Sequence, residues 1–329
     1  MPIRQERLKA PFPYFGGKSR IASVVWSQLG KVDNYIEPFA GSLAVLLLRP
    51  HKPHIETVND IDCMVANFWR ATQCDPEAVA SHADNPVNEC DLHARHRWLV
   101  LSDDAKAFRE RMKHDPEYYD ARIAGWWCWG LCCWIGRGWC ASDWQQSPHL
   151  ARYGQGIHAK GPSQQRPGST CADRRAWLLD WFGRLRDRLR NVRVCCGDWS
   201  RVCSSESTTT GVGLCGVFLD PPYSHAAGRD TNLYATDSAT VADDVRAWCI
   251  TNGSRPQMRI ALAGYEGEHE ELAAHGWQVV EWKTQGGYGN QSKKNSRAKA
   301  NAKRERLWFS PHYVAKPLKA EVVRIGTTI

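Results

Sequence analysis

The sequence predicts an α/β fold: a seven-stranded sheet, mostly parallel, with an antiparallel hairpin at one edge and helices on its faces. Three observations lead there. Short apolar runs of strand length alternate with helical patterns. Four of the first five runs lead into an acid, as strands do when their carboxyl ends line a ligand crevice. The last two runs flank a glycine-rich basic stretch with no helical pattern between them, which predicts antiparallel pairing.

Asn34-Tyr35-Ile36 leads to Glu37, and His54 to Val58 leads to Asn59-Asp60. Val192 to Cys196 leads to Gly197-Asp198, and Gly216 to Leu219 leads to Asp220. Arg259 to Ala263 is the fifth run, and Trp277 to Trp282 and Arg306 to Phe309 form the hairpin. The strands read as near-continuous apolar runs because a sheet covered on both faces buries every side chain. Helices are expected over Ile61–Ala71 and Thr240–Thr251. The alternation breaks between about 72 and 190. There the patterns predict helices over Ala105–His114, Pro116–Ile135 and Asp173–Leu189, the last with Asp173 as its cap. A stretch rich in glycine, proline and glutamine, Gln145 to Ser169, separates the last two. Residues 72–189 therefore read as a mainly helical insert between two parts of a core domain, 1–71 and 190–315, with a tail over 316–329.

The chain has 329 residues, 43% of them apolar, enough for one large core with a smaller insert. No run approaches the ~20 apolar residues of a membrane span, and the first residues lack an apolar signal segment. A soluble cytoplasmic protein is the expectation. Lysine and arginine (43) exceed aspartate and glutamate (35) by 8. Eight of the basic residues lie between Lys283 and Arg306, against one acid, Glu305. Lys293, Lys294, Arg297 and Lys299 in that stretch are candidate phosphate contacts.

Thirteen cysteines without a signal segment argue against a disulfide framework. Cys128, Cys132, Cys133 and Cys140 lack the paired spacing of a zinc site, so buried thiols are the expected reading and no metal is assigned. Trp126, Trp127, Trp129, Trp134, Trp139 and Trp144 crowd one stretch. Most read as packing residues. Arg137 and Trp139, beside Gly138, are the expected contacts to nucleic acid.

The strongest chemical signal is Asp220-Pro221-Pro222-Tyr223 after the fourth strand. A carboxylate can accept a hydrogen bond from an exocyclic amine. The prolines restrict the backbone, so that a carbonyl can face the same amine. The tyrosine offers a stacking face. Upstream, Glu37-Pro38-Phe39-Ala40-Gly41 follows the first strand, where Gly41 permits close backbone approach. Asp60 stands where an acid can hold ribose hydroxyls. Tyr14-Phe15-Gly16-Gly17-Lys18 precedes a helix whose start can seat an anionic group.

In order and spacing these segments resemble the Dam-type, α-group N6-adenine DNA methyltransferases, the D12 class. A tryptophan-rich centre resembles the phage-borne branch. The resemblance implies a Rossmann-like methyltransferase sheet, S-adenosylmethionine as methyl donor and double-stranded DNA as substrate. It implies an inserted target-recognition subdomain, and action in the cytoplasm of a bacterial or phage-infected cell as a monomer or weak dimer. Carried over, Glu37, Pro38, Phe39 and Gly41 line the methionine side of the cofactor. Tyr14 to Lys18 close that end. Asp60 binds the ribose, Ile61 lies against the adenine, and Asp198 with Trp199 meets the adenine amine. Asp220 to Tyr223 hold the target base. The family loop often has a second glycine where this chain has Leu43. Cytosine-N4 or RNA amino-methylation, a catalytically silent DNA-binding relative and a zinc-dependent binding module are the competing readings.

Overall fold

The computed structural model describes residues 8–14, 18–115, 117–134, 139–140, 162, 170–222, 240–281 and 304–314. Seven strands form one sheet: β1 (Asn34–Glu37), β2 (Ile55–Asp60), β3 (Arg193–Cys196), β4 (Cys215–Leu219), β5 (Met258–Tyr265), β6 (Gln278–Glu281) and β7 (Glu305–Phe309). Their order across the sheet is β3-β2-β1-β4-β5-β7-β6. The first five are mutually parallel, and β7 runs antiparallel between β5 and β6. The order reverses direction between β1 and β4. The crevice of such sheets opens there, beyond the strand carboxyl ends.

Alternate residues of each strand face opposite layers. Tyr35, Val58, Phe218, Ala261, Ala263, Leu307 and Phe309 join the core on one face. That layer holds α1 (Ala22–Leu29), α2 (Ala44–Leu47), α3 (Cys63–Cys74) and α4 (Pro76–Ala83). It also holds α5 (Glu89–Leu101), α6 (Asp103–His114), α7 (Ala121–Cys133) and α8 (Cys171–Leu189). Ile36, Val217, Leu219, Ile260, Leu262 and Trp308 face the other layer, packed on α9 (Val241–Asn252) and on Leu272 and Trp277.

The expected boundary at 71/72 falls inside α3, and α3, α4, α7 and α8 pack on one another within the sheet's own core. Helices α2, α4 and α5 are additions to the expected set. Helix α7 begins at Ala121 rather than Pro116, because the Asp120 carboxylate accepts from Ile123 N at 2.8 Å and caps it there. Asn67 fixes that start on α3: its Nδ2 donates to Asp120 O at 2.9 Å, and its Oδ1 accepts from Asp120 N at 2.8 Å. Helix α8 corrects the expected cap. Thr170 caps it, and Asp173 closes a reciprocal box, its carboxylate accepting from Thr170 N while the Thr170 hydroxyl accepts from Asp173 N. A threonine three residues ahead of the acid satisfies two backbone donors, where Asp173 alone would satisfy one.

A buried ion cluster holds the sheet edge to its helices. Glu56 on β2 takes Arg49 at 3.0 Å and Arg188 of α8 through both carboxylate oxygens, at 2.6 and 2.9 Å. Arg188 also donates to Leu46 O, and Arg49 to Val32 O. The Glu56 side chain is 3% exposed and that of Arg49 0%. Removing the carboxylate strands two guanidinium groups in a dry site. Glu56→Ala is expected to cost about 3–5 kcal/mol, read as a lower urea midpoint at unchanged slope.

Candidate active site

The carboxyl ends of β1, β2, β3 and β4 lie side by side, since Glu37 pairs with Val58, Asp60 with Cys196 and Ile36 with Val217. Asn59 ties their loops. Its Nδ2 donates to Pro38 O at 3.0 Å and to Gly197 O at 2.9 Å, and its carbonyl accepts from Ala40 N. One buried amide thus fixes the loops after β1 and β3 from the strand between them.

Asp60 is half-buried at the end of β2. Its Oδ2 accepts from Gly41 N and its Oδ1 from Asp62 N, both at 3.0 Å. Burial, with the Asp62 charge beside it, pushes its carboxyl up to about 7 against three backbone N–H donors that pull it down. Each oxygen keeps acceptor capacity for a further donor. Ile61 next to it is 51% exposed, an unusual place for a large aliphatic side chain. Phe39 and Trp199 lie nearly parallel, ring centroids 6.1 Å apart. Asp198 is engaged locally, its carboxylate accepting from Ser200 N at 2.9 Å and from the Ser200 hydroxyl.

Gly41 has φ +45°, and its carbonyl accepts from Trp69 Nε1 at 2.9 Å. A Cβ there would lie 2.7 Å from the Tyr14 ring. The close approach expected of Gly41 is therefore made by Tyr14. That contact brings the amino-terminal segment to the β1 loop.

The same segment delivers Lys18, which pairs with Asp220 Oδ1 at 3.0 Å; the two side chains are 5% and 21% exposed. Pro221 is buried and Pro222 half-buried behind Asp220. Neither proline has an N–H, so neither competes as a donor for the carboxylate. Glu37 is 3% exposed, and its Oε2 accepts from the Tyr35 hydroxyl at 3.0 Å and Leu46 N at 3.2 Å. Burial pushes its carboxyl up to about 8; those two donors oppose the shift, while Asp220 and Glu56 add to it. The arrangement offers a carboxylate at a crevice mouth, an ammonium beside it, and a second acid with acceptor capacity two strands away.

Residues 14–122 match the model of the D12 class N6 adenine-specific DNA methyltransferase family. Over these residues, about a third of the chain, the protein is similar to that family. The family's activity, as its name gives it, is methylation of adenine in DNA at N6. The matched segment holds Tyr14, Lys18, the Glu37 to Gly41 loop and Asp60, and ends inside α7 before Asp220. No curated protein matches the chain.

The structure brings together most of the anticipated residues that it describes: Tyr14, Lys18, Glu37, Pro38, Phe39, Gly41, Asp60, Ile61, Asp198, Trp199, Asp220, Pro221 and Pro222 all sit at or beside the strand ends. Phe15, Gly16, Gly17, Tyr223, Arg137, Lys293, Lys294, Arg297 and Lys299 lie outside the described residues. Trp139 is corrected. It is 9% exposed, packs beside His96 and Trp134, and donates from Nε1 to Trp127 O at 3.1 Å. Gly130 makes the room: a Cβ on it would lie 1.8 Å from the Trp139 ring. A ring seated in that notch is a core residue and not a base contact. Cys128, Cys132, Cys133 and Cys140 are buried free thiols. Among the described residues, no three His, Cys, Asp or Glu side chains gather as a metal site would need. No helix of the described residues is long and apolar enough to cross a membrane.

Three features were not anticipated: the bridging role of Asn59, the Lys18–Asp220 pair, and the burial of Glu305, 9% exposed on β7. The one signal for Glu305 is its place as a lone acid in a basic run, at the start of a strand.

Gly41→Ala is expected to lower the melting temperature by several degrees, since it adds left-handed strain of about 1–2 kcal/mol and displaces the Tyr14 ring. Tyr14→Ala combined with Gly41→Ala should recover the steric part, so the two losses should not add when measured by thermal unfolding.

Proposed function

We propose that Asp220 and the Pro221 carbonyl grip the N6 amine of an adenine rotated out of duplex DNA, with Tyr223 stacked on the base. The observation that carries this is the carboxylate of Asp220 at the carboxyl end of β4, next to β1, whose loop holds Gly41 on Asp60 at the end of β2. Base rotation is required because N6 is unreachable within the stack. Two acceptors on one amine draw its lone pair out of conjugation and aim it. Positioning supplies most of the rate, with no covalent enzyme intermediate.

The chain's residues fit S-adenosylmethionine. Asp60 has acceptor capacity for ribose hydroxyls, the exposed Ile61 offers an apolar face for adenine, and Asp198 stands at the end of β3 for its amine. Glu37 to Gly41 with Tyr14 and Lys18 border the methionine end. When bound, the cofactor supplies an electrophilic methyl on a sulfonium. Buried carboxylates at the strand ends suit a positive centre beside them.

DNA contacts fall to Lys293, Lys294, Arg297 and Lys299, and to Arg137, on the strength of their charge and spacing. Target selection belongs to the 72–189 span. The enzyme acts on double-stranded DNA as a monomer or weak dimer.

Asp220→Ala is expected to lower transfer by about 10²–10³-fold or more while cofactor affinity stays within a few-fold, with Asp220→Asn behaving alike. Counting N6-methyladenosine by mass spectrometry of treated DNA checks this; transfer persisting in both variants ends the assignment.

Cofactor affinity should also depend on pH. Ribose hydroxyls donate, so they favour the ionised form of Asp60, whose carboxyl stands at about 7 in the free protein. Binding is expected to tighten up to about tenfold per pH unit below 7 and to level off above it. Calorimetry between pH 5.5 and 8.5 should find that limb in the native protein and lose it in Asp60→Asn.

A further inference from the structure

Glu305 opens β7 opposite Tyr265, at the end of the sheet where β4 runs out into Asp220. Strand alternation places it on the same face as Asp220. Phe218 and Leu307 join one core layer, and Asp220 and Glu305 stand two residues from them. Tyr35 joins that layer too, so Glu37 completes a row of three acids at the site end of β1, β4 and β7. Glu305 is 9% exposed, and its Oε2 is buried without a hydrogen-bond partner among the described residues. An oxygen left so is costly. Lys18, 4% exposed, pairs with Asp220 of that row, and its charge acts on Glu305.

Lys18 and the target amine both need Asp220. A buried ammonium cannot retreat to water cheaply when the base arrives. It needs a second acceptor within the site. We propose that Glu305 is a positioning residue for methyl transfer: its carboxylate is the second seat of the Lys18 ammonium, which frees Asp220 to hold the adenine amine. This rests on the reading of Asp220 given above. The charged and titratable groups facing Glu305 are Lys18 from the amino-terminal segment and Asp220 from β4. Across on β5 is Tyr265, whose ring carries Arg304 at 5.4 Å. Burial and the Asp220 charge push the Glu305 carboxyl up, Lys18 pulls it down, and it stands at about 7. The seat exists only when Glu305 is ionised, so the transfer rate should rise with pH through that range.

The test is single-turnover transfer of labelled methyl to DNA by the full chain between pH 5.5 and 8.5, for the native protein, Glu305→Gln, Glu305→Asp and Asp220→Ala. Cofactor affinity and melting temperature are measured alongside. Glu305→Gln is expected to lower the rate at pH 8 by about 10–100-fold and to flatten the acid limb near pH 7. Cofactor affinity and the KM for DNA should be unchanged, and Glu305→Asp should restore part of the rate. A Glu305→Gln rate within twofold of native with the native pH profile overturns the proposal. So does a loss that tracks weakened cofactor binding or a lower melting temperature. If Asp220→Ala is inactive and Glu305→Gln is native-like, the Glu305 proposal alone falls. If Asp220→Ala still transfers methyl, the reading of Asp220 falls and takes the proposal with it.

Discussion

A single buried ammonium among carboxylates sets the terms for the whole site. Glu37, Asp220 and Glu305 stand on one face of the sheet at the site end, and Lys18 stands with them, paired to Asp220 at 3.0 Å. Like charges in a dry place repel, and burial alone pushes carboxyls up. The Lys18 ammonium sets an opposite charge against Asp220 in that row. Because Lys18 lies some 200 residues from Asp220 in sequence, the chain must carry the amino-terminal segment across the sheet and hold it there.

The helical layer does that holding. Lys9 O accepts from Trp181 Nε1 of α8 at 3.0 Å, and Pro11 O accepts from the Cys132 thiol of α7 at 3.4 Å. Phe12 packs edge-on against Phe68 of α3 and Trp127 of α7, with centroids 5.0 Å away in each case. Tyr14 then covers Gly41. Trp127 of the tryptophan cluster, Trp181 of α8 and Cys132 of the cysteine cluster thereby serve the site at one remove. They place residues 9–14, and through them Lys18. The helices between β2 and β3 thus help to build the strand-end site.

This explains which parts of the molecule are legible in the sequence. Strands buried on both faces leave apolar runs, and acids at their ends leave a recurrent mark, so the sheet and its edge hairpin can be read directly. Local patterns also give Asp220, Asp60 and Gly41. Contacts that join distant segments leave no local mark. The tryptophan run shows how many large rings must be placed, but the side they take depends on a gap such as the one Gly130 opens for Trp139. Glu305 reads as one charge in a basic run until the β5–β7 register turns it inward. Thr170 and Asp173 show the same limit at short range. Either can cap a helix, and here Thr170 caps while Asp173 answers it, so the pair satisfies two backbone donors.

Leu43 shows how packing holds the loop after β1 in shape. It has φ 52° and ψ 29°, a left-handed conformation that favours glycine. A side chain there costs about 1–2 kcal/mol. Leu43 is also fully buried, joins the sheet's core and accepts from Leu47 N through its carbonyl at the start of α2. Burying a leucine contributes about 1.5–3 kcal/mol, enough to offset the strain. The left-handed turn is thus held by packing where a glycine would hold it by conformational freedom. The residues ahead of it keep their places, Gly41 N on Asp60 and Ala40 N on Asn59 O. The departure changes what supports the loop and leaves its approach to the crevice intact.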